Sequence, residues 1–381
     1  MQRIETFSLN FLSVGMRSNS TLFFGIILSL IDTLGTNILQ ISFLIASAPM
    51  IWGMTSFIIP GLMSRFTLYQ IMLVGAWILA LSSVLRLAGG LFVLFLFSIT
   101  LNVGIGILNI TIPGWIKQIS PNSTDLLISR HYKIMLLASG VSIIMSVLIL
   151  NTGTDWKWAF VPWLITNLIG ATTFIFVSDR TTTKSVRQSK TLTNNLGARS
   201  RLATFILFFG SQGAASHAFG AWSPTLMIDY GFTALSSAIV CALLSILAAF
   251  FASKLLSKQL SQLALLKSFK IANALLLIGF LQLLSDRVQL FSLGMVLVFG
   301  SQSVIFLISL ISIVRWSQDV SQVLEASLRV QGVGYVLSGF GPICVGLILE
   351  NQESWQFVVY FMMMCTLVQV TTGWVTLNLR N

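Results

Sequence analysis

Arg17 lies near the middle of a long apolar stretch, in the run "SVGMRSNSTLFFG" at residues 13–25. As a helix, residues 6–30 are long enough to cross a hydrocarbon core about 30 Å thick. A guanidinium at the centre of such a helix costs about 2.5–3.5 kcal/mol on insertion scales, so these residues usually face a bundle interior and mark a substrate path. About nine helical residues, or about 13 Å, separate Arg17 from the inner end, too far for easy snorkelling.

No acidic residue is placed to neutralise Arg17. The chain has 11 Asp and Glu residues, and none of them lies deep in a predicted span. A buried cation is tolerable when water or an anion reaches it, and a planar guanidinium offers directional donors to a small anion. We therefore predict that Arg17 contacts the solute, with structural hydrogen bonding to helix carbonyls as the alternative.

Other polar side chains interrupt the apolar segments. His217 has a pKa range that suits solute binding or proton transfer, and a neutral packing role is an equal alternative. Further candidates for a solute cavity, each also compatible with packing between helices, are Asn109, Gln212, Trp222, Gln302, Gln331 and Tyr335. Arg86 is expected near the outer end of the third span, either snorkelling to the interface or drawing anions into a vestibule. His131 and Tyr132 are expected to anchor the cytoplasmic boundary.

The composition identifies lipid as the solvent of this chain. Hydrophobic residues make up 55% and charged residues only 9% of it, with a mean hydropathy of +0.89, whereas soluble domains are about one quarter charged. Twelve apolar runs of membrane-spanning length follow one another, at residues 6–30, 38–62, 70–90, 91–113, 128–150, 158–178, 202–226, 234–253, 270–285, 289–312, 327–349 and 355–377. The sequence thus predicts an all-α polytopic membrane protein, without a cleavable signal peptide and without room for a soluble catalytic domain.

Charge predicts how the bundle is oriented. Placing the N-terminus in the cytoplasm puts nearly all Lys and Arg residues in or beside cytoplasmic segments, as expected for a multi-pass protein of the plasma membrane with both termini inside. The formal net charge of +11 is therefore a topology signal, and nucleic-acid binding is much the weaker interpretation.

The motifs of an enzyme are missing from the sequence. Cys241, Cys344 and Cys365 fall within predicted spans at unrelated spacings, which indicates packing. The sequence contains no Gly-x-x-x-x-Gly-Lys-[Ser/Thr] motif for a nucleotide and no constellation of metal ligands or nucleophile. We expect no enzymatic activity, no cofactor and no metal.

One polar interval divides the chain. Residues 178–201, "SDRTTTKSVRQSKTLTNNLGARSR", are basic and lack apolar periodicity, which is typical of a flexible linker. The predicted organisation is an N-terminal six-helix half at residues 1–178, a cytoplasmic basic linker at 179–201 and a C-terminal six-helix half at 202–381.

Three stretches carry a family resemblance: "EASLRVQGVGYVLSGFGPICVG" at 325–346, "GIGILNITIPGWIKQISP" at 104–121 and "FFGSQGAASHAFGAWSPT" at 208–225. They are similar to the eleventh, fourth and seventh spans of the cyanate transporter family, a branch of the major facilitator superfamily that also includes nitroimidazole exporters. The chain departs from that family at Gly15-Met16-Arg17-Ser18, where Asn-Leu-Arg-Pro is usual, and at His217, where an aromatic residue is more common.

The resemblance implies the major facilitator fold, with two pseudo-symmetric halves that rock around a midplane site. Together with Arg17 it predicts a secondary transporter of a small anionic or polar planar, cyanate-like solute. The alternatives are efflux of neutral aromatic or drug-like compounds such as nitroimidazoles and, from another class, a membrane sensor that does not transport. Coupling through a proton on His217, anion exchange and facilitated diffusion remain open. The expected partners are a small-molecule solute and membrane lipid, and the expected functional unit is a monomer.

Overall fold

The chain folds as a bundle of long helices. The computed structural model describes residues 3–177, 196–256, 261–315, 320–352 and 354–378. Within these ranges the helices are α1 (Arg3–Leu34), α2 (Ile38–Thr55), α3 (Ile59–Met63), α4 (Leu68–Leu85), α5 (Leu91–Ile119), α6 (Thr124–Leu150), α7 (Val161–Ile175), α8 (Leu196–Asp229), α9 (Ala234–Leu256), α10 (Gln262–Leu283), α11 (Val288–Val314), α12 (Val320–Gln352) and α13 (Trp355–Asn378). The short α3 extends α2, and the two together form one apolar segment, Ile38–Met63.

Hydropathy separates two of the long helices from the rest. Within the described residues, ten segments are long and apolar enough to cross a membrane. The other two long helices, α1 and α8, have 32 and 34 residues but carry Ser, Asn, Gln, His and Arg side chains. Such polar residues are tolerated in a membrane helix where they face the bundle interior. The prediction of an all-α bundle of about twelve membrane helices is confirmed.

The start of α8 differs from the predicted boundary. The helix begins at Leu196, inside the stretch expected to be linker, because Leu, Ala and Arg at this point are good helix formers. Residues 178–195, which make up most of the predicted linker, lie outside the described residues.

Small residues bring the two halves of the bundle, α1–α7 and α8–α13, into close contact. Gly53 of α2 lies against Gly332 and Val336 of α12, and Gly140 of α6 lies against Ala242 of α9. The Ser327 hydroxyl of α12 also donates a 3.2 Å hydrogen bond to the carbonyl oxygen of Ile110. Close approach through small residues is the usual way membrane helices pack, and here it joins α2 to α12 and α6 to α9.

Candidate functional site

A cavity in the middle of the bundle is lined by α1, α6, α8, α9 and α11, and it is called the central cavity below. Its volume is about 70 Å³, far below the roughly 300–1,000 Å³ of sites for drug-sized ligands. Its polar lining residues come from both halves of the chain and are Arg17, Thr21, Tyr132, Ser139, Gln212, Ser216, His217, Ser245, Gln302 and Ser303. The cavity has the size and the polar groups to hold a small polar solute.

Arg17 supplies the positive charge of the central cavity. Its side chain is half-buried and lies within electrostatic range of the Tyr132 and Tyr335 rings. Among the described residues, no carboxylate and no hydrogen-bond acceptor is paired with its guanidinium. The N–H donors of Arg17 are therefore available to whatever enters the cavity.

Gln212 of α8 and Gln302 of α11 form a pair on the cavity wall. Gln212 Nε2 donates a 3.2 Å hydrogen bond to Gln302 Oε1, and both side chains are buried. The remaining amide groups, Gln212 Oε1 and Gln302 Nε2, have no protein partner in the described part of the chain. The pair thus presents one acceptor and one donor group to a solute.

The hydrogen bonding of His217 fixes its tautomer. Nδ1 lies 2.8 Å from the carbonyl oxygen of Gly213, and a carbonyl can only accept, so Nδ1 carries the hydrogen. In the neutral ring Nε2 then holds a lone pair, and it has no partner among the described residues. Trp52 packs edge-on against His217 at 5.8 Å between ring centroids. The ring is held by its neighbours while Nε2 stays open to accept a hydrogen bond or a proton.

A second cavity of about 50 Å³ adjoins the first and is called the side cavity. Arg17 and His217 line both cavities, and α2, the end of α4 and α5 complete the side cavity's wall. Arg86, at the end of α4, is fully buried there. Its Nη2 donates to Asn19 Oδ1, and its Cζ lies 4.2 Å from the centroid of the Phe160 ring.

The expectation that Arg86 snorkels to the interface is wrong. The side chain turns inward, because Asn19 accepts its hydrogen bond and Phe160 receives its planar face. A cation stacked on an aromatic ring gains from the ring quadrupole, and more so where water is excluded. The alternative prediction, an anion-attracting role, stays a prediction.

The remaining predicted site residues are buried and line neither cavity. Tyr335 packs edge-on against Trp52 and Phe209, at 5.4 and 5.0 Å between centroids, beside His217. Gln331 Nε2 donates to Ser327 Oγ at 2.6 Å, which makes it part of the contact between α12 and α5. Asn109 and Trp222 are buried and line neither cavity.

Tyr132 is the largest polar cavity residue that the sequence reasoning missed, beside the hydroxyl residues Thr21, Ser139, Ser216, Ser245 and Ser303. The expectation of an interfacial anchor is wrong for both His131 and Tyr132, because α6 begins at Thr124 and places them about two turns inside the helix. His131 Nδ1 lies 2.6 Å from Ser13 Oγ, and Tyr132 lines the central cavity with Ser139. Tyr132 and Ser139 are seven residues apart, which places both on one face of α6. This spacing is the sequence signal that could have identified them as cavity residues.

Comparisons with known proteins agree with this architecture. A family model described as Major Facilitator Superfamily matches residues 6–314. The chain is 24% identical to the uncharacterized transporter YycB of Bacillus subtilis over 340 residues, covering 87% of this chain and 83% of that protein. Among solved structures it is similar to the proton:xylose symporter XylE (TM-score 0.79, 10% identity, 98% of this chain and 95% of that one). It is also similar to the human organic anion transporter MFSD10 (TM-score 0.71, 10% identity, 97% of this chain and 100% of that one).

Proposed function

Because the chain belongs to the major facilitator superfamily of secondary transporters, we propose that it moves a small anionic or polar planar solute and that Arg17 binds the solute's negative charge. One observation carries this proposal: Arg17 lines the central cavity without a carboxylate partner among the described residues. An uncompensated cation at this depth is costly, and a visiting anion compensates it. Alternating access then exposes the same site to each side of the membrane in turn.

The size and polarity of the central cavity support a small solute. A volume of about 70 Å³ suits a cyanate-like ion of a few atoms better than a nitroimidazole with its substituents. Arg17 and the free Gln302 amide supply donors to the negative end of such an ion. Phe24, Phe219 and Phe306 form apolar walls, which exclude water and strengthen these contacts.

His217 offers a way to couple the solute to a proton. The positive charge of Arg17 opposes a second positive charge on the nearby imidazole ring, and a bound anion cancels part of that opposition. The anion therefore favours protonation of His217 Nε2, and the proton favours retention of the anion, by reciprocal linkage. We propose that proton and anion cross together, in preference to anion exchange or facilitated diffusion.

The setting that we propose is the plasma membrane, with both termini cytoplasmic and a single chain as the functional unit. The bias of Lys and Arg toward the connections on the side of the termini supports this orientation. Helices from both halves of one chain line the central cavity, so a second chain is not needed to build its wall.

Uptake of radiolabelled cyanate into proteoliposomes tests the role of Arg17. We expect Arg17→Gln to lower uptake at least about tenfold, which corresponds to about 1.4 kcal/mol of lost binding. Arg287→Gln serves as the matched control, because Arg287 is exposed at a helix end away from both cavities, and it should transport normally.

Three other outcomes would contradict the proposal. Cyanate uptake that survives Arg17→Gln unchanged removes Arg17 from the site. A neutral nitroimidazole that moves equally well in both proteins, with no cyanate uptake, favours the efflux function. Cyanate that binds the detergent-solubilised protein but never crosses the membrane favours a sensor.

A further inference from the structure

We propose that the side cavity is a second anion-binding site, in which Arg86, Ser20 and Ser98 bind a small anion apart from the one at Arg17. The proposal rests on the proposed function only in that the two cavities share Arg17. The site lies toward the bundle end opposite the start of α1, because Arg86 follows the last residue of α4 and Ser98 lies in the first turns of α5.

Arg86 carries most of the unused hydrogen-bonding capacity of the side cavity. A guanidinium has five N–H donors, and the described residues engage only Nη2, through Asn19 Oδ1. Nε and Nη1 are buried without a protein acceptor in the described ranges, although the residue is fully buried. Buried donors in proteins nearly always have a partner, so the site calls for an acceptor that the fold does not itself provide.

Two hydroxyl groups share this deficit and face the same cavity. Ser20 Oγ of α1 and Ser98 Oγ of α5 are buried and have no hydrogen-bond partner among the described residues, and both residues line the side cavity. Three helices thus bring unpartnered donors to one space of about 50 Å³. No Asp or Glu is among the residues that line it. The chemistry that satisfies a guanidinium and two hydroxyls together is that of a small anion.

The guanidinium is held ready for such a ligand. Asn19 Nδ2 donates to the Gly15 carbonyl oxygen at 2.6 Å, which directs the amide oxygen of Asn19 toward Arg86. The Phe160 ring also holds the guanidinium in place, because its centroid lies 4.2 Å from Arg86 Cζ. A side chain positioned in advance loses little conformational freedom when a ligand binds. Because Arg17 and His217 line both cavities, the side cavity adjoins the central cavity. An anion bound at Arg86 is therefore one step from the site at Arg17 on the solute's route.

Bromide is a suitable probe, because its anomalous scattering locates a small anion directly in crystals of the full-length protein. We expect two bromide peaks in crystals grown over a series of sodium bromide concentrations, one beside Arg17 and one among Arg86, Ser20 and Ser98. Arg86→Gln should reduce the occupancy of the second peak at least about tenfold at equal bromide concentration and leave the first in place, by removal of a charge-assisted contact.

Ser98→Ala keeps the test decisive if Arg86→Gln fails to fold. Loss of this one hydroxyl should weaken the side peak about three- to tenfold, the range expected for one hydrogen bond, without disturbing the contacts of Arg86 with Asn19 and Phe160. The matched control is Ser211→Ala on the exposed side of α8, whose hydroxyl already donates to the Leu207 carbonyl oxygen at 2.7 Å.

The outcomes separate the two proposals. A peak at Arg17 without one at Arg86 overturns the second site and leaves the proposed function standing. A peak only at Arg86 overturns the proposed role of Arg17 and leaves the second site standing. The absence of both peaks overturns both proposals. A side peak whose occupancy is the same in the wild type, Arg86→Gln and Ser98→Ala marks an adventitious ion only and overturns the second site.

Discussion

The Asp125 carboxylate accepts hydrogen bonds from both Nε and Nη2 of Arg315, and the Nε bond is 3.0 Å long. Asp125 lies in the first turn of α6, and Arg315 directly follows the last residue of α11. The ion pair therefore joins the two halves of the bundle at the end where α1 begins and α13 ends. Alternating access requires the halves to part at this end in one of the two states, so the pair stabilises the state that is closed here.

Breaking this ion pair should open the bundle at that end. We expect Asp125→Asn to raise the rate at which a polar thiol reagent labels Cys241, which lines the central cavity, in protein with Cys344 and Cys365 replaced by Ala. A partly exposed ion pair contributes about 0.2–1 kcal/mol, so the expected increase is about 1.4- to fivefold. Labelling is followed by mass spectrometry of the purified protein.

Glu325→Gln is the control for this prediction. Glu325 pairs with Arg329 at 2.7 Å within the same helix, α12, near the same end of the bundle, so that pair does not join the halves. Its loss should leave the labelling rate unchanged. Equal acceleration in both variants would show that general loosening, and not the link between α6 and α11, controls access.

The geometry of the cation at Arg17 should matter in addition to its charge. Arg17→Lys keeps a positive charge but replaces a planar set of donors by a flexible ammonium group. We expect the KM for cyanate uptake to rise about tenfold, the effect of losing about 1.4 kcal/mol of directed hydrogen bonding, while the maximal rate falls by less than about threefold. Arg287→Lys should leave both constants unchanged, and a KM unaffected by Arg17→Lys would mean that charge alone is recognised.

His217 should be needed for accumulation and not for exchange. A Gln side chain can accept a hydrogen bond but does not titrate, so His217→Gln removes the proton carrier while keeping an acceptor in the cavity. We expect cyanate accumulation driven by an inward proton gradient to disappear, while counterflow between labelled and unlabelled cyanate stays within about threefold of wild type, since no proton has to be released in exchange.

The second histidine of the chain provides the comparison for that experiment. His131 bonds to Ser13 at 2.6 Å and lines neither cavity, so His131→Gln should retain gradient-driven accumulation. Gradient-driven uptake that persists in His217→Gln would assign the proton to another group, and loss of counterflow as well would make His217 a binding residue only.

Single polar residues in apolar segments were the part of the site that the sequence could reveal. Arg17, Gln212, His217 and Gln302 each interrupt an apolar helix, and the fold brings all four to the central cavity. The cost of burying such groups without a purpose makes their positions informative.

The directions of long side chains and the choice of helix face were not accessible from the sequence. Arg86 follows the end of α4, and only the tertiary positions of Asn19 and Phe160 decide that it turns inward. An aromatic side chain such as Trp222 would suit the wall of a cavity, yet Trp222 lies on a face of α8 that packs into the core. Successive residues of a helix point about 100° apart around its axis. In an apolar segment without a clear polar face, the sequence therefore does not show which residues face a cavity and which face the core.

The contact between α2 and α12 gives a test of the fold that does not depend on the solute. A Cβ atom added to Gly53 would lie 2.8 Å from the backbone nitrogen of Val336, and a backbone cannot move aside as a flexible side chain does. We expect Gly53→Ala to destabilise the protein by about 1–3 kcal/mol and to lower the melting temperature in detergent. Gly61 in α3 has nothing within 4 Å of the equivalent position, so Gly61→Ala should leave the melting temperature unchanged or slightly higher, because Ala favours a helix more than Gly does. A Gly53→Ala protein as stable as wild type would mean that α2 and α12 do not pack as closely as this 2.8 Å approach implies.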